Sequence, residues 1–170
     1  MFNPTFIIEE LERNHQVFAG LLRGLSLEVY TWRPHHEHWT LLEIVCHLYD
    51  EEREDFRQRV RLVLEDPEQS LPPFNPVAWV QERQYAQQSY SEKLDAFLAE
   101  RTHSIKWLQR LQQPAWGNTY QHPSLGPMSA GLFLANWLAH DQQHIRQINR
   151  LKRAYLQQQT KLDLSYAGNW

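Results

Sequence analysis

Trp137-Leu-Ala-His140-Asp-Gln-Gln-His144-Ile-Arg-Gln-Ile148 is the stretch from which the rest of the chain can be worked out. Its two histidines are four residues apart, so on a helix they share one face with Cβ atoms ~5–6 Å apart. That spacing lets both imidazoles hold one metal ion at ~2.0–2.1 Å from each ligating nitrogen. Phe133, Trp137, His140, His144, Ile148, Leu151 and Tyr155 recur at spacings of 4, 3, 4, 4, 3 and 4, an amphipathic helical stripe. The histidines lie on the stripe itself, so their rings are expected to point into the protein. A buried imidazole needs a partner, and other segments must supply it.

Three further segments carry helical periodicity. Residues 5–26 read as a first helix, with Ile8, Leu11, His15, Phe18, Leu22 and Leu25 spaced 3, 4, 3, 4 and 3. It closes before Arg33-Pro34, because the residue ahead of a proline is pushed out of the helical region. His35, His36 and His38 follow in an irregular polar loop, read as solvated rather than ligating. A second helix opens at Thr40, with Glu43 completing a capping box, and runs to about Leu64. Its stripe is Leu41, Ile44, Val45, Leu48, Glu52, Phe56, Val60 and Val63. Residues 65–78 carry four prolines and cannot continue a helix. Fourteen extended residues reach ~45 Å, about the length of a bundle, which predicts a crossover or a lid. A third helix is expected from about Trp79 to Leu111, its core face being Leu94, Phe97, Leu98, Ile105, Leu108 and Leu111. A loop from Gln113 to Met128 leads to the fourth helix, Ser129 to about Leu156, and a tail follows that is expected to pack through Tyr166 or Trp170. Four long amphipathic helices predict an all-α fold, a four-helix bundle in one domain over 1–170.

Composition narrows the function classes. A net charge of −3 and a pI near 6.3 argue against nucleic acid or an anionic membrane surface as partner. No apolar run approaches the ~18–20 residues a membrane span needs, and the first residues lack the layout of a signal peptide. The single cysteine, Cys46, excludes an internal disulfide. A cytoplasmic protein is the expectation. Aromatic residues around the crossover would suit a two-fold interface, so a homodimer is expected.

Depth selects the candidate site. If the first two helices are antiparallel, His15 and His47 lie about ten and eight residues from their turn, ~15 and ~12 Å along the axis. His140 and His144 sit near the middle of the fourth helix, so all four histidines fall in one layer. Metal sites in bundles are built this way, from inward side chains on facing helices. Three neutral imidazoles plus an open position make a catalytic zinc arrangement, and imidazole also suits nickel and iron, with manganese a further candidate. Asp50 and Glu51 follow His47 within a turn and are the acids placed to orient a ligand ring or add a fourth ligand, a role also open to His15. Trp39, Trp79, Tyr85 and Trp137 are candidate pocket-lining aromatics. No catalytic residue is assigned. Metal retention is expected to fall as pH drops through ~6.5, where protons compete for ordinary imidazoles.

The chain resembles the DinB-like (DinB/YfiT) superfamily of metalloenzymes. The resemblance rests on Leu25-Ser-Leu-Glu-Val-Tyr-Thr-Trp-Arg-Pro34, on Trp39-Thr-Leu-Leu-Glu43-Ile-Val-Cys-His47-Leu-Tyr-Asp50-Glu51, and on Gly126-Pro-Met-Ser129 leading to His140-Asp-Gln-Gln-His144-Ile-Arg-Gln147-Ile148. It implies up-down-down-up topology, with 65–78 as the crossover between the second and third helices. It also implies a metal triad of one histidine from the second helix and two from the fourth, here His47, His140 and His144. His15 is not in that triad. Members of known chemistry are S-transferases that join a low-molecular-weight thiol such as bacillithiol to an electrophile, and a mycothiol-dependent isomerase; hydrolysis has been proposed for others. The resemblance therefore implies a thiol transferase or hydrolase acting on a small molecule. The alternative is a stress-associated bundle in which the metal is structural.

Overall fold

A computed structural model describes residues 2–168. Its first helix, α1 (Pro4–Leu22), is started by the Asn3 side chain, which accepts from the Phe6 N–H, and by Pro4 in the first turn. Gly24, at φ 72°, turns the chain out of it, four residues before the expected end. A short α2 (Leu27–Thr31) leads into the loop of His35, His36 and His38, all exposed as expected. The capping box is present in both halves: Thr40 Oγ1 accepts from Glu43 N–H at 3.1 Å, and Glu43 Oε2 accepts from Thr40 N–H at 2.7 Å.

The second long helical segment is not uniform. It runs as α3 (Leu41–Glu51), a π-helical turn over Glu52–Phe56, and α4 (Arg57–Glu65). Leu48, Glu52, Phe56 and Val60 are spaced 4, 4 and 4, and each such step drifts ~40° around an α-helix. An i→i+5 turn takes up the extra residue, keeping Glu52, Phe56 and Val60 buried.

The expected third helix is broken. The structure has α5 (Pro76–Glu82), capped by Asn75, then Gln84 in a left-handed conformation, a 3₁₀ turn at Tyr85–Gln87, and α6 (Tyr90–Arg110). The interruption lets Tyr85 swing into the core, where its hydroxyl donates to Asp50 at 2.7 Å. The loop before the last helix is also more ordered than expected. Thr119–His122 (β1) and Gly126–Ser129 (β2) form an antiparallel hairpin, Thr119 opposite Ser129 and His122 opposite Gly126. The molecule is thus mostly helical rather than wholly so. The 31-residue α7 (Ala130–Thr160) starts at Ser129, whose hydroxyl accepts from the Leu132 N–H. In the tail Tyr166 is fully exposed rather than packed, and Trp170 lies outside the described residues.

The four long segments pack in pairs, α1 with α6 and α7, α3 with α6 and α7, and α4 with α7. Two apolar clusters fill the interior. One holds Phe18, Leu22, Leu41, Ile44, Phe97 and Ile148; the other holds Leu11, Val60, Val63, Phe133, Leu134 and Trp137. Between them runs a buried polar layer of Asn14, His47, Glu51, Glu52, Arg101, Asp141 and His144. Among the described residues no helix is long and apolar enough to cross a membrane.

Candidate metal centre

Two helices meet at this polar layer. His47 comes from the middle of α3, His140 and His144 from successive turns of α7. One ring nitrogen from each lies within 4.8 Å of the others. The Nε2 of His140 is 3.3 Å from that of His47 and 3.0 Å from that of His144. Trp39 packs edge-on to the His47 ring at 4.8 Å, and Phe56 packs against His140 at the same distance. The aromatic walls restrict the ways each ring can turn.

Glu51 closes one side. One carboxylate oxygen is 3.3 Å from His47 Nε2 and the other 2.8 Å from His140 Nε2. Burial governs the protonation of all four groups. It drives the imidazoles down from 6.5, to about 2 for His47, about 4 for His140 and about 3 for His144. It pushes the Glu51 carboxyl up to about 8, against the pull of Arg59. Burial thus favours neutral rings and a protonated carboxyl in the metal-free protein.

The donor set fits a divalent cation. Three imidazole nitrogens converge, each offering a lone pair to a cation in the appropriate neutral tautomer, and a carboxyl able to supply a negative charge stands beside them. Nitrogens this close have either a ring N–H of one neutral tautomer or a metal ion between them, and the convergence of all three on one point suits the ion. One feature departs from usual metal histidines: His47 Nδ1 is buried with no polar partner among the described residues, where a carbonyl or carboxylate commonly steadies the ring.

The centre forms the floor of a cavity of ≈ 710 Å³, walled by Trp39, Pro76, Val77, Leu151 and Ala154 and rimmed by residues of α7. The other sequence candidates lie elsewhere. His15 is half-buried on α1, near Thr102 and Gln16 and away from the three rings. Its level is taken by Asn14, buried one position earlier, which donates to Asp141 at 3.0 Å. Asp50 faces away from the histidines and accepts from Tyr85 and from Arg83 at 2.9 Å. Of the four aromatics only Trp39 lines the cavity. Trp79 carries the Arg83 guanidinium on its face, Tyr85 is core, and Trp137 is core with its indole N–H donating to Glu52.

Sequence reasoning missed Arg101. It is fully buried and holds two carboxylates: Asp141 at 2.6 and 2.7 Å, and Glu52 at 2.9 Å through both Nε and NH2. The signal was available. Arg101 falls in the gap between Leu98 and Ile105 on the α6 stripe, as Glu52 falls on the α3 stripe, so two opposite charges occupy seam positions on facing helices.

The sequence matches the DinB superfamily over residues 10–148. Curated protein sequences offer no match. Among solved structures this chain is similar to YfiT from Bacillus subtilis, described as "a probable metal-dependent hydrolase with an unusual four-helix bundle topology". The TM-score is 0.78 at 18% identity, over 89% of this chain and 87% of that one. At that identity the likeness speaks for a shared fold. With a match that spans most of its length, the chain belongs to the DinB superfamily.

Proposed function

We propose that this chain is a metal-dependent enzyme acting on a small molecule, with His47, His140 and His144 holding one divalent ion. The observation that carries this is the convergence of three neutral imidazole nitrogens on the floor of an open cavity rather than in a sealed core. Zinc or nickel suits the imidazole set best, with iron or manganese compatible. Such an ion supplies Lewis acidity, lowering the pKa of a thiol or water so that the nucleophile is available at neutral pH. The protein's own groups do the rest. Burial keeps the rings neutral and ready to ligate. Glu51, with its carboxyl oxygens 3.3 and 2.8 Å from two of the ring nitrogens, is placed to take a proton from the attacking group and return it to the leaving group once its own proton has left on metal binding. Trp39 and the apolar walls give the substrate an apolar surface beside the ring nitrogens.

The chemistry is either S-transfer from a low-molecular-weight thiol to an electrophile, which the family resemblance implies, or hydrolysis, the activity described as probable for YfiT. The setting proposed is a cytoplasmic homodimer with no nucleic-acid or membrane partner. The connectivity proposed is up-down-down-up with 65–78 as the crossover. It is supported by contacts that pair Leu22 with Tyr90 and Glu12 with Gln109, Asn14 with Asp141 and Leu21 with Lys152, and His47 with His144 and Phe56 with Trp137.

One observation favours a second reading. Glu51 touches two of the three ring nitrogens, so a three-histidine, one-glutamate set could hold a purely structural metal in a stress-associated bundle. Metal analysis with a paired thiol-conjugation and ester-hydrolysis screen separates them. Wild-type protein is expected to take up about one ion per chain and His144→Ala essentially none. Turnover that vanishes on chelation supports the enzyme. Unchanged metal content in His144→Ala overturns the triad. Full metal with no turnover favours the structural site.

A further inference from the structure

The rim of the metal cavity carries two cations that no carboxylate among the described residues neutralises. Arg146 and Arg150 are exposed, stand one turn apart on α7, and both line the cavity beside Gln143 and Gln147. Many arginines elsewhere meet acids, among them Arg23 with Asp95, Arg57 with Glu100, Arg83 with Glu54 and Arg101 with Asp141, and of those without an ion pair Arg146 and Arg150 are the two that line this cavity. Among the described residues no carboxylate lies within ion-pair distance of Arg146 or Arg150. The acid across the cavity, Glu37, is exposed and directed to its neighbour His36 at 3.9 Å. The net charge of −3 does not account for a local cationic rim.

The cavity is thus graded along α7. His140 and His144 mark its deep end, and Arg150 lies six residues beyond His144, ~9 Å along the helix axis. Trp39, Val77 and Leu151 add apolar surface to the same lining. Guanidinium groups recognise carboxylate or phosphate through paired hydrogen bonds, and amide side chains such as Gln143 and Gln147 add donors. We propose that the substrate is an anionic small molecule, bound with its acid group on Arg146 and Arg150 and its reacting end at the three histidines. This rests on the metal-pocket reading for the reacting end, while the acid-binding rim stands on the arginines alone.

The test titrates the full chain, with and without one equivalent of zinc, with succinate and its neutral analogue succinamide, followed by amide chemical shifts at low ionic strength. The comparison is wild type against the double variant Arg146→Gln, Arg150→Gln. Both positions are exposed, so the variant should fold. Wild type is expected to bind succinate in both states, with resonances of α7 shifting. The variant should bind it at least about tenfold more weakly. Equal succinate affinity in the two proteins, or succinamide binding as tightly as succinate, overturns the proposal. Zinc content, measured on the same samples, reports on the histidines independently. Wild type that takes no zinc but binds succinate through the arginines sinks the metal reading and sustains this one. Stoichiometric zinc with arginine-independent succinate binding does the reverse.

Discussion

Glu51 and Glu52 are neighbours in the chain, as are His140 and Asp141, yet each pair is divided between two centres of opposite character. Glu52 and Asp141 belong to the Arg101 knot, where two carboxylates, an arginine, Asn14 and the Trp137 indole satisfy one another with nothing left over. Glu51 and His140 belong to the histidine centre, where ring nitrogens face ring nitrogens and His47 Nδ1 has no partner. The knot is sealed and holds one cation, Arg101, between its two carboxylates. The histidine centre opens on a cavity and turns three ring nitrogens toward one point. The difference separates structure from function more cleanly than burial does, since both lie in the same layer. A satisfied network holds the helices in register, and the unsatisfied one beside it is where a ligand belongs.

The sharpest way to break this comparison is to remove the knot's cation. Arg101→Ala strands Glu52 and Asp141 as buried charges without a partner and should cost ~3–5 kcal/mol, read as a shift in the urea midpoint. Because Asp141 and Glu52 flank His140 and Glu51, metal affinity should fall with it. A loss below ~1 kcal/mol would mean the knot is not what holds this layer together.

A smaller effect separates the centres by pH. In metal-free protein the three imidazoles resist protons that the unfolded chain accepts near 6.5. Their contribution to stability is therefore complete above that pH and is lost as pH falls towards the folded values. The slope is ~1.4 kcal/mol per pH unit for each ring. Glu51 has the opposite sign. Its folded pKa is raised from 4.5 to about 8, so its contribution is complete below 4.5 and is lost as pH rises to 8. Metal-free protein should melt lower on the acid side of 6.5, and a bound ion should flatten the curve. A melting temperature independent of pH between 6.5 and 5 without metal would contradict the burial of these rings. The same desolvation corrects the expectation for metal retention. Protons compete for His140 near 4 rather than 6.5, so the ion should be held to lower pH wherever the fold survives.

How much of this was legible depended on whether periodicity alone could decide a residue's direction. It did for His140, His144 and His47, each fixed on or beside an apolar stripe with strong neighbours on both sides, and for the Thr40–Glu43 cap. It failed for His15, because Leu11 to Phe18 can be bridged as 4 plus 3 through His15 or as 3 plus 4 through Asn14, and both are helical. The tie is broken by Asp141, which a single helix cannot reveal. Asp50 and Glu51 are likewise indistinguishable from spacing; one residue of rotation sends one to Tyr85 and the other to the histidines. The break at Gln84 went unseen because no glycine or proline marks it, although the third stripe began only at Leu94. The 119–129 hairpin went unseen because four-residue strands carry too little alternation to register.

A third cluster, half-exposed, completes the gradient from sealed knot to solvent and gives the smallest effect. Arg83 meets both oxygens of Glu54, at 2.9 and 2.7 Å, and Arg53 meets one at 2.7 Å, with about a third of each Arg83 and Glu54 side chain exposed. These hydrogen bonds, those of Arg83 above all, hold the Glu54 carboxyl below the ordinary glutamate value. A lowered folded pKa means that the stabilisation is complete above ~4.3 and is lost as pH falls through the folded value. Solvent screens this cluster as it cannot screen Arg101, so Glu54→Gln should cost no more than ~1 kcal/mol at pH 7. The gap in melting temperature should narrow with added salt and close as pH falls through the lowered folded value, where wild-type Glu54 is itself protonated. A gap that survives undiminished at pH 3 and high salt would show that packing of Arg83 on Trp79, 4.0 Å from its ring centre, and not charge, ties this corner of the fold.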